Sequence, residues 1–168
     1  MKIISTDEAC SMLGVESLPG FIDSLSEHLP HRLGAYSIPT DSGAKCSLSK
    51  LLGDLLLPGA PIFIYVAEWG IWPSAENFDL FDGYRRSVGE DRPLKLAPVH
   101  VFETSDKSAF VSILSMALYF VWDAKVFDQS GTVLVTFSHD EWVEIETADP
   151  AVAREWSMEL DPMELEPL

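Results

Sequence analysis

Apolar and polar positions along this chain follow two rhythms, and glycine or proline marks most of the places where one gives way to the other. Ala9, Met12 and Leu13 share a stripe behind Ser5 and Glu8, whose spacing of three lets hydroxyl and carboxylate bond each other's backbone amides. That predicts a helix over 6–13, ended by Gly14. Phe21, Ile22, Leu25 and Leu29 repeat the helical spacing between Pro19, which suits a first turn, and Pro30, which blocks continuation. Residues 31–45 carry Gly34, Pro39 and Gly43 with little periodicity and read as loop. Leu48, Leu51, Leu52, Leu55 and Leu56 then mark a helix capped by Ser47 or Ser49 and stopped at Pro58-Gly59.

The rhythm next becomes that of a strand. Residues 61–66, PIFIYV, are almost continuously apolar, as in a central strand buried on both faces. After the aromatic loop Gly70-Ile71-Trp72-Pro73, Ser74 is placed to cap a helix. It has Glu76 in its first turn, Phe78, Phe81 and Tyr84 facing inward, and Arg85 and Arg86 at its C-terminal end. Val99 to Phe102 reads as a short strand. Phe110, Ile113, Leu114, Ala117, Leu118 and Val121 trace a helical face that Met116, Tyr119 and Phe120 widen to nearly the whole circumference, so this helix must be covered. Residues 124–127 and 132–137 flank the turn sequence DQSG, and 142–147 alternate, which predicts an antiparallel meander. Asp149-Pro150 opens a last helix over 150–159. The expected fold is α+β: an antiparallel sheet of about 4–5 strands packed with one long apolar helix and several shorter ones. A single domain is expected over 1–160, followed by an acidic tail, 161–168, too rich in proline and charge to be ordered.

Composition changes this picture through charge. An apolar share of 47% supports a packed core, so the excess of 27 acidic over 11 basic side chains, a formal charge of -16, decorates a fold and does not signal disorder. Such a charge repels phosphate backbones and anionic lipid, so neither nucleic acid nor a membrane surface is an expected partner, whereas a basic protein is. The excess is uneven. His139 to Leu168 hold ten carboxylates against Arg154 alone, a local charge of -9. On the strand at 142–147, Glu144 and Glu146 share a face opposite Val143 and Ile145. They are expected to project together into solvent beside Trp142 and close to Glu141. The first residues contain no apolar run of seven or more, so no secretory signal is read and a cytoplasmic location is expected. Ala109 to Trp122 is shorter than the roughly 20 residues that cross a bilayer. Cys10 and Cys46 are expected to be reduced thiols.

Candidate chemistry is sparse. Ser138-His139-Asp140 has the residue types of a nucleophilic triad, but neighbours in sequence point apart and cannot form the hydrogen-bonded relay. Gly-x-Ser-x-Gly, phosphate-cradling glycine loops, His-Glu-x-x-His and paired Cys-x-x-Cys are missing. An enzymatic reading would have to assemble Glu68, Glu76, His139 and Asp140 in space, with Glu141 as a further ligand if a metal were used; no metal or cofactor is expected. His28 and His31 are separated by Pro30 and read as surface residues. Trp69 and Trp122 are assigned to the core, while Trp72 sits in a loop suited to the surface.

The segments WGIWPSAENFDLFDGYRR (69–86), FVWDAKVF (120–127) and SHDEW (138–142) resemble recurring blocks in a family of small bacterial proteins with no established activity. The resemblance spans roughly the middle and later two thirds of the chain; it implies a bacterial cytoplasmic protein and transfers no catalytic residue. In size, acidity and α+β pattern the chain is also similar to the immunity proteins that neutralise bacterial toxins. The expectation that follows is a non-enzymatic acidic protein docking on a basic partner such as a toxin nuclease. Glu141, Trp142, Glu144 and Glu146 are its contact residues, with Trp72 and Glu76 as a second surface; the alternative is a small hydrolase or metal-dependent enzyme.

Overall fold

The computed structural model describes residues 1–59, 61–68, 75–163 and 165–167, with the backbone alone described at 75–77 and 162. Among these residues seven strands form one antiparallel sheet. Its order is β1 (Lys2–Ile4), β4 (Val99–Phe102), β3 (Ile62–Glu68), β5 (Asp123–Asp128), β6 (Val133–Ser138), β7 (Trp142–Thr147) and β2 (His31–Ser37). The helices are α1 (Thr6–Leu13), α2 (Leu18–His28), α3 (Ser42–Leu56), α4 (Ala75–Ser87), α5 (Lys107–Phe120) and α6 (Pro150–Leu160).

The α+β class and the β5–β6–β7 meander are as read from the sequence, but the sheet has seven strands where four or five were expected. Both additional strands lie at its edges. β1 has only three residues, too few to show a period. β2 crosses the stretch read as loop: Gly34, at φ 141°, sits at a bulge between the pairs Arg32–Glu146 and Gly34–Ile145, so the glycine marks a kink within a strand. The helix after it starts earlier than Ser47 because the Asp41 carboxylate caps it, accepting from the Ala44 amide at 2.9 Å. Nor is α5 a single dominant helix. It has 14 residues and lies beside α3 on one face, which is what covers its wide apolar surface.

The sheet separates two apolar clusters. On one face Ile62, Ile64 and Val66 of β3, Val126, Val135 and Ile145 pack with Leu52 of α3, Phe110 and Leu114 of α5, and Trp156 and Leu160 of α6. On the other, Phe63, Phe127 and Leu134 pack with Ala9 of α1 and with Leu18, Ile22 and Leu25 of α2, and the rings of Phe63 and Phe127 stack at 5.3 Å. The continuous apolar run of β3 follows from this burial on both sides. Trp122 is in the core, as expected; Trp69 and Trp72 fall outside the described residues. Both cysteines are free, and no helix among the described residues is long and apolar enough to cross a membrane. Where the tail is described beyond residue 163, at 165–167, the Ser37 amide donates to the Glu166 carbonyl at 2.8 Å, and Pro167 pairs with Tyr36 on the outer edge of β2.

Candidate functional site

The second apolar cluster stops at Phe127 and Leu134. Beyond them the same face of the sheet continues as a polar surface, because the two-residue period of β3, β5, β6 and β7 places Tyr65, Lys125, Thr136 and Glu144 in one cross-strand row. The adjacent row ends in Glu146 and Arg32, and Asp123, Ser138 and Trp142 lie at the other end of the surface. Tyr65, Asp123, Lys125, Trp142 and Glu144 are half-buried, and Asp140 and Glu141 are exposed in the turn joining β6 to β7.

That turn is held firmly. The Asp123 carboxylate accepts from the His139 amide at 2.7 Å and lies 3.0 and 3.1 Å from His139 Nδ1, while the Asp140 amide donates to Ser138 Oγ at 3.2 Å. Glu141 takes φ 63°, its amide donating to the Ser138 carbonyl, and its own carbonyl accepts from the Ile38 amide at 2.8 Å. The side chains of Asp140 and Glu141 therefore stand on a fixed backbone in front of Trp142.

Glu144 and Glu146 share a face as predicted, but they do not project together into solvent. Glu146 is only 1% exposed and Glu144 20%, because Arg32 reaches across from β2 to bond both, at 2.9 Å to Glu146 and 3.2 Å to Glu144. The second oxygen of Glu146 has no hydrogen-bond partner among the described residues. Burial first, and then the charge of Glu144, push the Glu146 carboxyl above its ordinary range against the pull of Arg32. Lys125 donates to Thr136 Oγ1 at 3.1 Å. Burial draws its ammonium down, opposed by Asp123, Asp23, Glu146 and Glu144. Burial also pushes the Tyr65 phenol up. The acidic C-terminal excess is divided as well: Glu144 and Glu146 lie on this face, whereas α6, which bears exposed Glu155 and Glu159, packs through Trp156 and Leu160 onto the opposite one.

The residues of the enzymatic alternative come together only in part. His139 has Asp123 at Nδ1 and Asp140 at 3.6 Å from Nε2, with Glu68 near enough for its charge to act on the ring; the Glu76 side chain lies outside the described residues. Asp123, which sequence reasoning missed, is the strongest of these neighbours and raises the imidazole pKa, so His139 favours the charged form. The Ser138 hydroxyl is engaged by the Asp140 amide and is buried, so the geometry orients the His139 imidazole but does not offer it Ser138 as a nucleophile. Among the described residues no group of three or more His, Cys, Asp or Glu side chains is arranged to hold a metal ion. The alternation in DAKVFD could have placed Asp123 and Lys125 on this face. Arg32 could not have been found while its strand was read as loop.

No family model, curated protein or solved structure matches this chain. A functional reading therefore stands on the geometry above.

Proposed function

We propose that the chain is a non-enzymatic acidic binding protein that docks a basic protein, in the manner of an inhibitor or immunity protein seated on a cationic toxin such as a nuclease. The observation that carries this reading is the half-buried Trp142, with Glu144 beside it on the same face and exposed Asp140 and Glu141 on the rigid turn before it. An aromatic surface beside carboxylates suits a lysine or arginine side chain, because the ring attracts the cation and the acids pair with it. The net charge of -16 supports the same partner chemistry by accelerating its approach. Glu146 contributes little direct contact in this reading because Arg32 and the sheet already enclose it, and Glu141, Glu144 and Trp142 carry the contact.

The test is titration calorimetry of the chain against a set of purified cationic proteins, toxin nucleases among them, at 20 and at 300 mM NaCl. Binding should weaken at least tenfold with salt, and Glu141→Gln with Glu144→Gln should flatten that dependence. Binding indifferent to salt and to both substitutions would refute the reading. His139 oriented by Asp123 favours a second, hydrolytic reading, which requires His139→Gln to abolish a turnover that Trp142→Ala leaves intact.

A further inference from the structure

We propose that the outer edge of β2 is a strand-addition site for an extended peptide of alternating apolar and acidic side chains, and that residues Leu165–Pro167 of this chain are its resident occupant. β2 ends the sheet, so its outer edge is not paired by another strand of the sheet, although the Leu33 carbonyl of β2 already accepts from the Tyr36 hydroxyl at 3.0 Å. The tail already adds as one, antiparallel, through the Ser37 amide to the Glu166 carbonyl and the pairing of Tyr36 with Pro167. Leu165 and Met163 pack against the first apolar cluster beside it, over a cavity of about 300 Å³ bordered by Ile38, Pro39 and Ala44. The tail thus displays the chemistry the edge accepts: main-chain hydrogen bonds for affinity, an apolar side chain turned inward, and an acidic residue turned out.

Among the described residues the tail pairs with Tyr36 and Ser37, at one end of this edge. A strand continuing in its direction would run from Tyr36 past Ala35 to His31, where a second cavity of about 520 Å³ lies between β2 and α6. Leu33, Ala153 and Met158, the last 67% exposed, make its apolar lining, and Arg154 supplies a cation there. An apolar–acidic strand covers the first and pairs with the second. A longer peptide reaches along His31–Gly34, beyond the residues that 165–167 pair with, and that gain lets it displace a segment whose tethering gives it a high effective concentration.

The experiment is fluorescence anisotropy with two labelled synthetic peptides, Asp-Pro-Met-Glu-Leu-Glu-Pro-Leu and the same sequence extended by Val-Glu-Val-Glu. They are titrated into the full chain, into the full chain carrying Leu165→Asp, and into the chain ending at Leu160. Both altered chains should bind the shorter peptide at least tenfold more tightly than the unaltered one, and the longer peptide should bind each about tenfold more tightly than the shorter. Leu165→Asp keeps every strand, so the test stands even if the shortened chain does not fold. Failure of both altered chains to bind would overturn the proposal, as would equal affinity for the two peptides. A dimer of the unaltered chain that disappears when residues 161–168 are removed would make the occupant a second copy and overturn it too. None of these outcomes depends on Trp142 or on docking of a basic protein.

Discussion

Replacing Glu146 by glutamine should leave the protein as stable as before, or more stable, at neutral pH, although the substitution removes a charge that is bonded to an arginine. The side chain is 1% exposed and one of its oxygens lacks a partner, so keeping it ionised carries a desolvation cost, typically about 1–3 kcal/mol for an unsatisfied polar group. The offsetting gain is the bond to Arg32. That guanidinium is 58% exposed, which reduces the pair to about 1 kcal/mol or less. Glutamine keeps the shape and can still accept from Arg32, and it relieves repulsion from Glu144, so the substituted protein should gain up to about 1 kcal/mol. The sign with pH is fixed. The folded-state pKa of Glu146 is raised, so above its ordinary value near 4.5 the folded carboxyl keeps a proton that the unfolded one has released. The stability of the unaltered protein should therefore fall relative to the glutamine variant as pH rises through the folded pKa, and the difference should then level off. Urea denaturation of both proteins from pH 4.5 to 8 reads this directly. Parallel stability profiles, or an unaltered protein that gains on the variant with rising pH, would show that Glu146 is a stabilising ion-pair partner and that the reasoning is wrong.

For His139 the folded-state pKa is raised by Asp123, so its contribution is present below the ordinary value near 6.5 and is lost as pH climbs through the folded pKa; His139→Gln should lower the melting temperature more at pH 5.5 than at pH 8.5. Arg85 is fully buried, with Nη1 donating to the Ala97 carbonyl at 2.9 Å and Nη2 to the Arg92 carbonyl at 3.1 Å. Arg85→Ala should cost about 3–5 kcal/mol in chemical denaturation and the volume-conserving Arg85→Met only about 1–2 kcal/mol, since methionine removes the buried charge without leaving a cavity. At Gly131, φ 69° and Leu25 Cδ2 at 3.0 Å from an added Cβ should make Gly131→Ala cost about 1–3 kcal/mol, more than Gly14→Ala, where φ is 70° and nothing lies within 4 Å. If a basic partner docks at Trp142, Glu155→Gln with Glu159→Gln should slow association in stopped flow without changing dissociation, whereas Trp142→Ala should accelerate dissociation.

What was legible in the sequence were the features fixed by a few neighbouring residues. The Ser5–Glu8 capping box sets α1, the DQSG turn joins β5 to β6, and alternation marks β7. Features that depend on a distant strand were not legible. Glu144 and Glu146 were correctly placed on one face, but their exposure is decided by Arg32, which lies 114 positions from Glu146 in a strand whose bulge glycine reads locally as loop. The same holds for His139. Its sequence neighbours suggested a triad that geometry forbids, while the carboxylate that orients it, Asp123, is 16 positions away and reaches it only because β5 and β6 are paired. The long-range partners of a polar residue are set by strand order, and periodicity carries no information about order.

Charge density along the chain is for that reason a poor guide to charge density in space. The last 30 residues hold a net charge of -9, yet the sheet passes between their two halves: α6 turns Glu155 and Glu159 outward on one side, while β7 and its preceding turn present Asp140, Glu141 and Glu144 on the other. The two groups have different physical reach. Charges on α6 act on an approaching cation through the solvent, within a Debye length of about 10 Å at 0.1 M salt, and so influence how often it arrives. Carboxylates on a turn pinned by Asp123 and followed by Trp142 would, in the proposed docking, meet it at contact, where desolvation strengthens each bond and a fixed backbone has little further entropy to lose. Under the proposed docking, steering would belong to the molecule as a whole and orientation to the β6–β7 turn, so a substitution's effect on binding would follow from its place on the sheet and not from its place in the acidic run.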